Sequence, residues 1–219
     1  MKNALIFYGG WDGHTPKQTA SVFEKMLKEE GYNVTKSDNL SVLDAYEDIA
    51  DIDLFVPVWT MGSITRKQSD NISKAVSNGA GMAGCHGGMC DTFRDDTTWQ
   101  FMTGAQWVAH PGNNDVVYKV NLKHDNPFTD GLSDFEYCGE QYYMHVDPAA
   151  MIYATTTFPV ADGPHISNGT VLMPILFTKK WGKGNIFYLS IGHNYKDFDI
   201  PQVKTMMKRG LLWATKRGE

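Results

Sequence analysis

Cysteine is scarce in this chain of 219 residues, which has three, at Cys85, Cys90 and Cys138. Three cysteines cannot all pair with one another, and the sequence contains no CxxC motif. Small secreted domains that depend on disulfides have many paired cysteines, and structural zinc sites have closely spaced ones. The cysteine pattern therefore predicts a reducing compartment, and we expect a cytoplasmic protein.

Long apolar runs and excess positive charge are also absent from the sequence. No apolar run approaches the roughly 20 residues that a membrane-spanning helix needs. The first run, Ala4 to Tyr8, stops at Gly9-Gly10 and is too short for a signal peptide. The formal net charge of −5 argues against a basic surface for nucleic acid or anionic membranes. We therefore expect a folded domain that binds neither nucleic acid nor membrane.

Strand and helix signals alternate through the first half of the chain. Short apolar or β-rich segments predict strands over 4–8, 32–36, 54–59 and 81–85. Thr15 and Thr65 each precede a Gln at the third helical position, which predicts two helices that begin with capping boxes. Such alternation is typical of a parallel sheet with helices on both faces. We predict one α/β domain over 1–219, with a three-layer, doubly wound, mostly parallel sheet of the flavodoxin-like kind.

The second half of the sequence is β-rich and less regular. Strands are predicted over 116–122, 151–158, 171–178 and 184–191, and a closing helix over 200–216. The stretch 103–147 is interpreted as rich in loops, and so long an irregular segment is usually functional. Two basic pairs, Lys179-Lys180 and Lys216-Arg217, are interpreted as solvated surface.

Histidines follow three of the predicted strands. His14 comes after the first strand and its glycine loop, His86 after 81–85, and His193 after 184–191. Ligands of open α/β sheets bind beyond the carboxyl ends of the strands. We therefore expect these three histidines to converge in one site, although each alone can be an ordinary surface residue.

The segment Gly84-Cys85-His86-Gly87-Gly88 has the spacing of a nucleophile elbow, in which glycines permit a strained turn between strand and helix. The central position carries an imidazole, which suits a base, an acid or a metal ligand. Cys85 is one position too early and is interpreted as a core residue. A plain glycine-rich turn with His86 bonded to the backbone is the alternative.

Glu140 is the candidate carboxylate. It lies between Tyr137 and Tyr142, surroundings that predict a raised pKa and a role as acid or base, unless it is a solvated turn residue. Together with His86, His110 and His145 it can supply ligands to a divalent cation such as Zn²⁺, but their spacing matches no compact ligand signature. The glycine loops do not have GxGxxG spacing, so no nucleotide cofactor is expected.

Aromatic and polar residues elsewhere are candidates for the wall of a pocket. Aromatic side chains can stack on the C–H face of a sugar ring, and amide and imidazole groups can hold its hydroxyls. The candidates for substrate binding are Trp11, Trp59, Gln106, His110, Tyr142 and His145, with Trp107 also near the rim. For any single aromatic residue, packing in the core is the alternative.

Several segments, spread over nearly the whole chain, match the motifs of one known family. They are the Gly9-Gly10 loop leading to His14, Gly84-x-His86-x-Gly88, Gly104 to His110-Pro111, "HDNPFTDGL" from His124, Glu140-Gln141-Tyr142, and "PILFTKKWGKGNIFYLSIGH" from Pro174 to His193. In these segments the sequence resembles the ThuA-like (trehalose-utilisation) family of the class I glutamine amidotransferase-like superfamily. Family members often carry Asp where this chain has Gly139.

The resemblance also excludes one activity and suggests another. Glutamine hydrolysis needs Cys at the elbow and a late His-x-Glu, whereas this chain has His86 and His193-Asn194-Tyr195. The family implies an enzyme that acts on a disaccharide or keto sugar, with His86 and Glu140 as an acid–base pair. His14 and His193 would orient the substrate or bind a metal. The alternatives are a sugar-binding or partner protein without catalysis, and a metal-dependent hydrolase; a homo-oligomer stays open.

Overall fold

The structure, a computed structural model, describes residues 1–215. Within that range the chain forms eleven strands and six α-helices. The strands are β1 (Asn3–Gly10), β2 (Asn33–Ser37), β3 (Leu54–Thr60), β4 (Gly81–Cys85), β5 (Ala105–Ala109), β6 (Val116–Leu122), β7 (Phe135–Gly139), β8 (Tyr143–Val146), β9 (Met151–Phe158), β10 (Val171–Trp181) and β11 (Gly184–Leu189). The helices are α1 (Pro16–Glu29), α2 (Tyr46–Ile49), α3 (Arg66–Ser77), α4 (Gly87–Cys90), α5 (Thr97–Thr103) and α6 (Pro201–Ala214). The predictions for Lys216 and Arg217 lie outside the described residues. Lys180 is exposed as predicted, but the prediction of a solvated Lys179 is wrong, because its side chain is buried and pairs with Asp147.

A large mixed sheet organises the domain. Nine of the strands within residues 1–215 form it, in the order β2-β1-β3-β4-β11-β10-β9-β6-β7. Neighbours are parallel from β2 to β11 and antiparallel from β11 to β7. The parallel half agrees with the predicted α/β fold. The other half is antiparallel, and it includes the hairpin in which a two-residue turn joins β10 and β11.

Helices cover both faces of the parallel half because its strands are apolar on both sides. In β1, Ala4 and Ile6 face a cluster that includes Phe23 of α1 and Met206 of α6. The alternate residue Phe7 belongs to a second cluster, which contains side chains of α3 and α5. Successive side chains of a strand point to opposite faces, so a continuous apolar run supplies two cores.

One of the two predicted capping boxes is correct. Thr65 accepts from the Gln68 backbone N–H while the Gln68 side chain accepts from the Thr65 N–H. The capping box predicted at Thr15 is wrong. Thr15 lies in the left-handed region (φ 47°), and its hydroxyl oxygen accepts from the Tyr195 backbone N–H at 3.0 Å. A contact with a distant loop therefore replaces the local cap.

The stretch 103–147 contains more regular structure than predicted. It holds β5, β7 and β8 besides the predicted strand β6. β5 and β8 pair with each other as a separate two-stranded antiparallel sheet, and β7 pairs with β6 at the edge of the large sheet. The interpretation as a loop-rich segment is wrong because these strands are stabilised by pairing across long chain separations. Within residues 1–215, no helix has the length and apolar character to cross a membrane.

Candidate active site

His86 occupies a strained turn between β4 and α4. Its backbone adopts φ 47° and ψ −141°, which few residues other than glycine tolerate. A Cβ at Gly87 would lie 2.5 Å from the His14 ring, and one at Gly84 would lie 2.8 Å from Met89. The elbow geometry predicted for this segment is therefore present. Cys85 is a core residue, and burial raises the pKa of its thiol well above the ordinary value.

Three histidines and one glutamate come together at the carboxyl ends of the strands. One potential ligand atom from each of His14, His86, Glu140 and His193 lies within 4.8 Å of those of the others. His14 follows β1, His86 follows β4 and His193 follows β11. These parallel strands lie close together in the order β1-β3-β4-β11, so their carboxyl ends share one edge of the sheet. Glu140 follows β7, and the Tyr118 hydroxyl anchors it by donating to its backbone carbonyl at 3.1 Å.

Backbone and hydroxyl partners orient two of the imidazoles. His86 Nδ1 lies 2.7 Å from the Ser190 carbonyl oxygen, which can only accept, so Nδ1 carries the hydrogen. The other nitrogen, Nε2, faces Glu140 Oε2 at 3.1 Å. Two acceptors meet there unless a proton or a cation lies between them. His14 Nδ1 is held at 2.7 Å from the Thr60 hydroxyl oxygen.

The charge of the cluster is concentrated on Glu140, which is 5% exposed. Burial raises the pKa of its carboxyl, but the contacts with His193 at 3.4 Å and His86 at 3.1 Å outweigh burial and hold the pKa well below its ordinary value. The predicted raised pKa is therefore wrong. The reason is that histidines contact the carboxylate, whereas Tyr142 stacks on the His86 ring with centroids 4.0 Å apart.

The other histidines of the cluster respond to the same surroundings in opposite directions. The neighbouring Glu140 carboxylate raises the pKa of His193, whose Nδ1 lies 3.4 Å from Glu140 Oε1. Burial, together with the nearby His86 and His193, lowers the pKa of His14 to about 2. His14 is therefore neutral at physiological pH, which is the state that binds metals.

A cavity of about 310 Å³ opens over the cluster. It is lined by Trp11, His14, Met61, Asp91, Arg94, Trp107, His110, Asn113, Asn114, Glu140 and Tyr142. Trp11 is 46% exposed and packs edge-on against His14 and His193. His110 stands nearer the mouth, with Nε2 3.8 Å from Glu140 Oε1. The wall therefore combines aromatic surface with polar groups, as in small-molecule sites.

The structure does not bring three of the candidate binding residues to this cavity. Gln106 and His145 are register partners on β5 and β8, so both point to one face of that small sheet and line a different pocket. The neighbouring residue Trp107 points to the opposite face, into the cavity. Trp59 packs against the hydrophobic core, and its ring lies over Gly9 and Gly62.

Sequence reasoning missed Asp91, Arg94, Asn113 and Asn114. Asp91 and Arg94 follow the elbow helix directly, so their position after a strand end is a signal that could have found them. Asn113 and Asn114 lie in a short 3-10 turn between β5 and β6 and have no comparable signal.

The four clustered side chains fit a divalent metal ion. Imidazole nitrogen and carboxylate oxygen are ligands that Zn²⁺ and similar cations accept. A cation bound by His86 Nε2 and Glu140 Oε2 would also explain why two hydrogen-bond acceptors face each other there. The set keeps His86 and Glu140 of the four ligands first considered and includes His14 and His193, for which the family resemblance implied substrate or metal binding, whereas His110 and the exposed His145 lie outside it.

A comparison with models of protein families shows to which family this chain belongs. The model of the ThuA family, described as trehalose utilisation, matches residues 3–214. This chain belongs to the ThuA family. Membership supports a general role in the use of carbohydrates. A comparison with curated proteins finds no match.

Solved structures share the fold of this ThuA-family chain. A ThuA-like protein from Bacteroides uniformis is 17% identical, with a TM-score of 0.76, over 97% of this chain and 91% of that one. A ThuA-like protein from Parabacteroides merdae is also 17% identical, with a TM-score of 0.75, over 98% and 90%. A cytoplasmic protein from Salmonella typhimurium is 13% identical, with a TM-score of 0.69, over 99% and 100%.

Proposed function

We propose that this ThuA-family chain is an enzyme that acts on a disaccharide or keto-sugar derivative by proton transfer at the three-histidine, one-glutamate cluster. The observation that carries the proposal is the buried Glu140 carboxylate, which contacts His86 and His193 at the base of an open cavity. A buried carboxylate among imidazoles, beyond the ends of parallel strands, is typical of a catalytic centre.

The chemistry suits a sugar that already carries a ketone. A ketone at C3 acidifies the C–H bond at C2, and a carboxylate within reach can accept that proton. Glu140 is ionised because its contacts with His193 and His86 overcome the effect of burial. His193, whose pKa the same contact raises, can return a proton to an oxygen atom. The outcome is isomerisation, or departure of the group at C1 with the electron pair of the broken C–H bond forming a C1–C2 double bond.

The residues also suit a bound divalent cation, which would supply Lewis-acid polarisation of a carbonyl or hydroxyl oxygen. His14, His86, His193 and Glu140 would hold it. His86 is fixed for this role by its Nδ1 contact to Ser190, because that contact leaves Nε2 as the ligand atom. The same ligands suit a metal-dependent hydrolase, which makes hydrolysis the second candidate.

Proton NMR in heavy water tests the proposal. The untagged protein is incubated with trehalose and, separately, with 3-ketotrehalose, with and without added Zn²⁺. We expect loss of the C2 proton signal, or a new elimination product, from the keto sugar alone. Release of glucose from trehalose without exchange at C2 would favour hydrolysis. Line broadening of a sugar without any reaction would favour a binding protein.

Variants connect the reaction to the cluster. Glu140→Gln and His86→Ala are expected to abolish exchange, whereas His145→Ala, which changes an exposed histidine on another face, is expected to react normally. Full turnover by both cluster variants would refute the roles assigned to these residues.

A further inference from the structure

We propose that Arg94 determines the specificity of the cavity by binding two adjacent oxygen atoms of a neutral, unphosphorylated sugar. The inference rests on the proposed function in one respect, that the cavity receives a sugar. It concerns a part of the wall that the proton-transfer scheme does not use.

Arg94 is held rigidly by two neighbours. Its Nε lies 2.5 Å from Asp91 Oδ1 and its Nη2 lies 2.9 Å from Asp91 Oδ2, a bidentate pair. The carboxylate partner is buried, at 3% exposure. The guanidinium also lies over the Trp107 ring, 4.7 Å from the centroid. An arginine fixed at one edge and on one face loses little conformational entropy when it binds a ligand.

Donors remain on the guanidinium after this pairing. Arginine has five N–H groups, and Asp91 accepts from two nitrogens along one edge. The remaining hydrogens include a pair on Nη1 and Nη2 that match two oxygen atoms on neighbouring atoms of a ligand. Arg94 is 40% exposed and lines the cavity together with Glu140, so such a ligand would also reach the cluster.

The charge balance favours a neutral ligand. Asp91 already neutralises Arg94, and a carboxylate or phosphate at the free edge would meet that buried negative charge a few ångströms away. Asn113 and Asn114 add uncharged donors and acceptors to the same wall, and Trp11 adds exposed aromatic surface. Vicinal hydroxyls, or a hydroxyl beside a ketone, satisfy both the spacing and the neutrality.

A salt bridge with a merely structural role would hold the 91–94 turn and leave ligand binding unchanged. Arg94→Lys separates the two roles because lysine keeps the positive charge beside Asp91 but lacks the planar guanidinium group that can donate two parallel hydrogen bonds to a ligand. The matched control is Arg66→Lys, which alters an exposed arginine paired with Asp70 on α3. Thermal melting of each variant shows whether the fold is retained.

The test is an NMR titration of wild type, Arg94→Lys and Arg66→Lys with trehalose, with trehalose 6-phosphate, and with four symmetric dideoxy analogues of trehalose, each of which lacks the hydroxyl at C2, C3, C4 or C6 of both rings. For wild type we expect two of these analogues, whose missing hydroxyls are on adjacent carbons, to bind roughly tenfold more weakly than trehalose. Arg94→Lys is expected to bind trehalose more weakly by a similar factor or more and to show no further loss with those two analogues. Arg66→Lys is expected to match wild type, and the phosphate to bring no gain in affinity.

Several results would overturn the inference: no sugar binds wild type, folded Arg94→Lys binds the whole series as wild type does, or trehalose 6-phosphate binds tenfold more tightly than trehalose. The outcomes for the two proposals are distinguishable. Binding that depends on Arg94, without exchange at C2 of the keto sugar, would support this inference and contradict the proposed reaction. Exchange at C2 of the keto sugar, together with sugar affinities that do not change in Arg94→Lys, would support the proposed reaction and contradict this inference.

Discussion

His86 Nε2 and Glu140 Oε2 lie 3.1 Å apart although 54 residues separate them in the chain. The elbow and the Ser190 carbonyl fix the imidazole, and Tyr118 fixes the backbone of the glutamate. Because the imidazole ring is fixed and the glutamate backbone is anchored beside it, the pair is preorganised for a proton or a cation. Three consequences of this arrangement can be measured, and a fourth prediction concerns an ion pair elsewhere in the domain.

The first prediction concerns metal binding. We expect metal-free protein to take up one equivalent of Zn²⁺ at the cluster, and His14→Ala or His193→Ala to weaken the affinity by tenfold or more, because each removes one nitrogen ligand. Isothermal titration calorimetry measures the affinity and elemental analysis the stoichiometry. His145→Ala is the control, and uptake that survives loss of both cluster histidines would place the metal elsewhere.

The second prediction concerns the coupling between Glu140 and His193. Glu140→Gln removes the negative charge that raises the pKa of His193, so that pKa should fall in the variant. The His193 imidazole would then lose its proton at a lower pH than in wild type. Imidazole NMR signals of metal-free protein, followed against pH, measure the shift. An unchanged titration of His193 would show that the contact at 3.4 Å does not form in solution.

The third prediction concerns Gly87, beside the elbow. Gly87→Ala places a Cβ 2.5 Å from His14 Cε1, so the imidazole must move. We expect a loss of stability of about 1–3 kcal/mol from overpacking and a loss of Zn²⁺ affinity of at least tenfold. Denaturant unfolding and calorimetry measure these effects. Gly31→Ala serves for comparison, because it costs backbone strain but meets no atom within 4 Å and should bind metal normally.

The fourth prediction concerns stability against pH at an ion pair outside the cluster, between the buried Lys179 and the half-buried Asp147. Lys179 Nζ lies 2.6 Å from Asp147 Oδ2, and this hydrogen bond lowers the pKa of Asp147. A lowered pKa in the folded state stabilises the protein above the unfolded value near pH 4, and this contribution disappears as pH falls through the folded value. Asp147→Asn should cost about 3 kcal/mol at pH 7, because it leaves Lys179 buried without its counter-charge.

Urea unfolding at pH 7 and at pH 3 checks the fourth prediction. The difference in stability between variant and wild type should shrink at the lower pH. The exposed pair of Arg66 and Asp70 provides the comparison, since Asp70→Asn should change stability by less than about 1 kcal/mol at either pH. Equal losses for the two variants would show that burial of Lys179 does not strengthen its pair.

Local patterns in the sequence predicted much of the parallel half of the fold. The apolar runs of β1, β3 and β4 and the capping box at Thr65 depend on neighbouring residues, and the structure agrees with them. Thr15 has the same local pattern as Thr65 but forms no capping box. Its hydroxyl oxygen accepts from the Tyr195 N–H, which is a tertiary contact that local sequence cannot predict. β5 and β8 were missed for a related reason, since each is stabilised by the other across about forty residues.

By itself the sequence determined the elbow at His86, the placement of His14 and His193 after strands, and the membership of the family. Strand ends are recognisable from residue periodicity, and a parallel sheet brings them to one edge. Glu140 was a candidate from the sequence, but only the tertiary structure decided that it contacts His86 and His193, that its pKa is lowered, and that Gln106 and His145 face away. Those outcomes depend on which groups surround a buried carboxylate and on which face of a strand each side chain takes. Both are set by pairing between distant segments and not by the residues alongside.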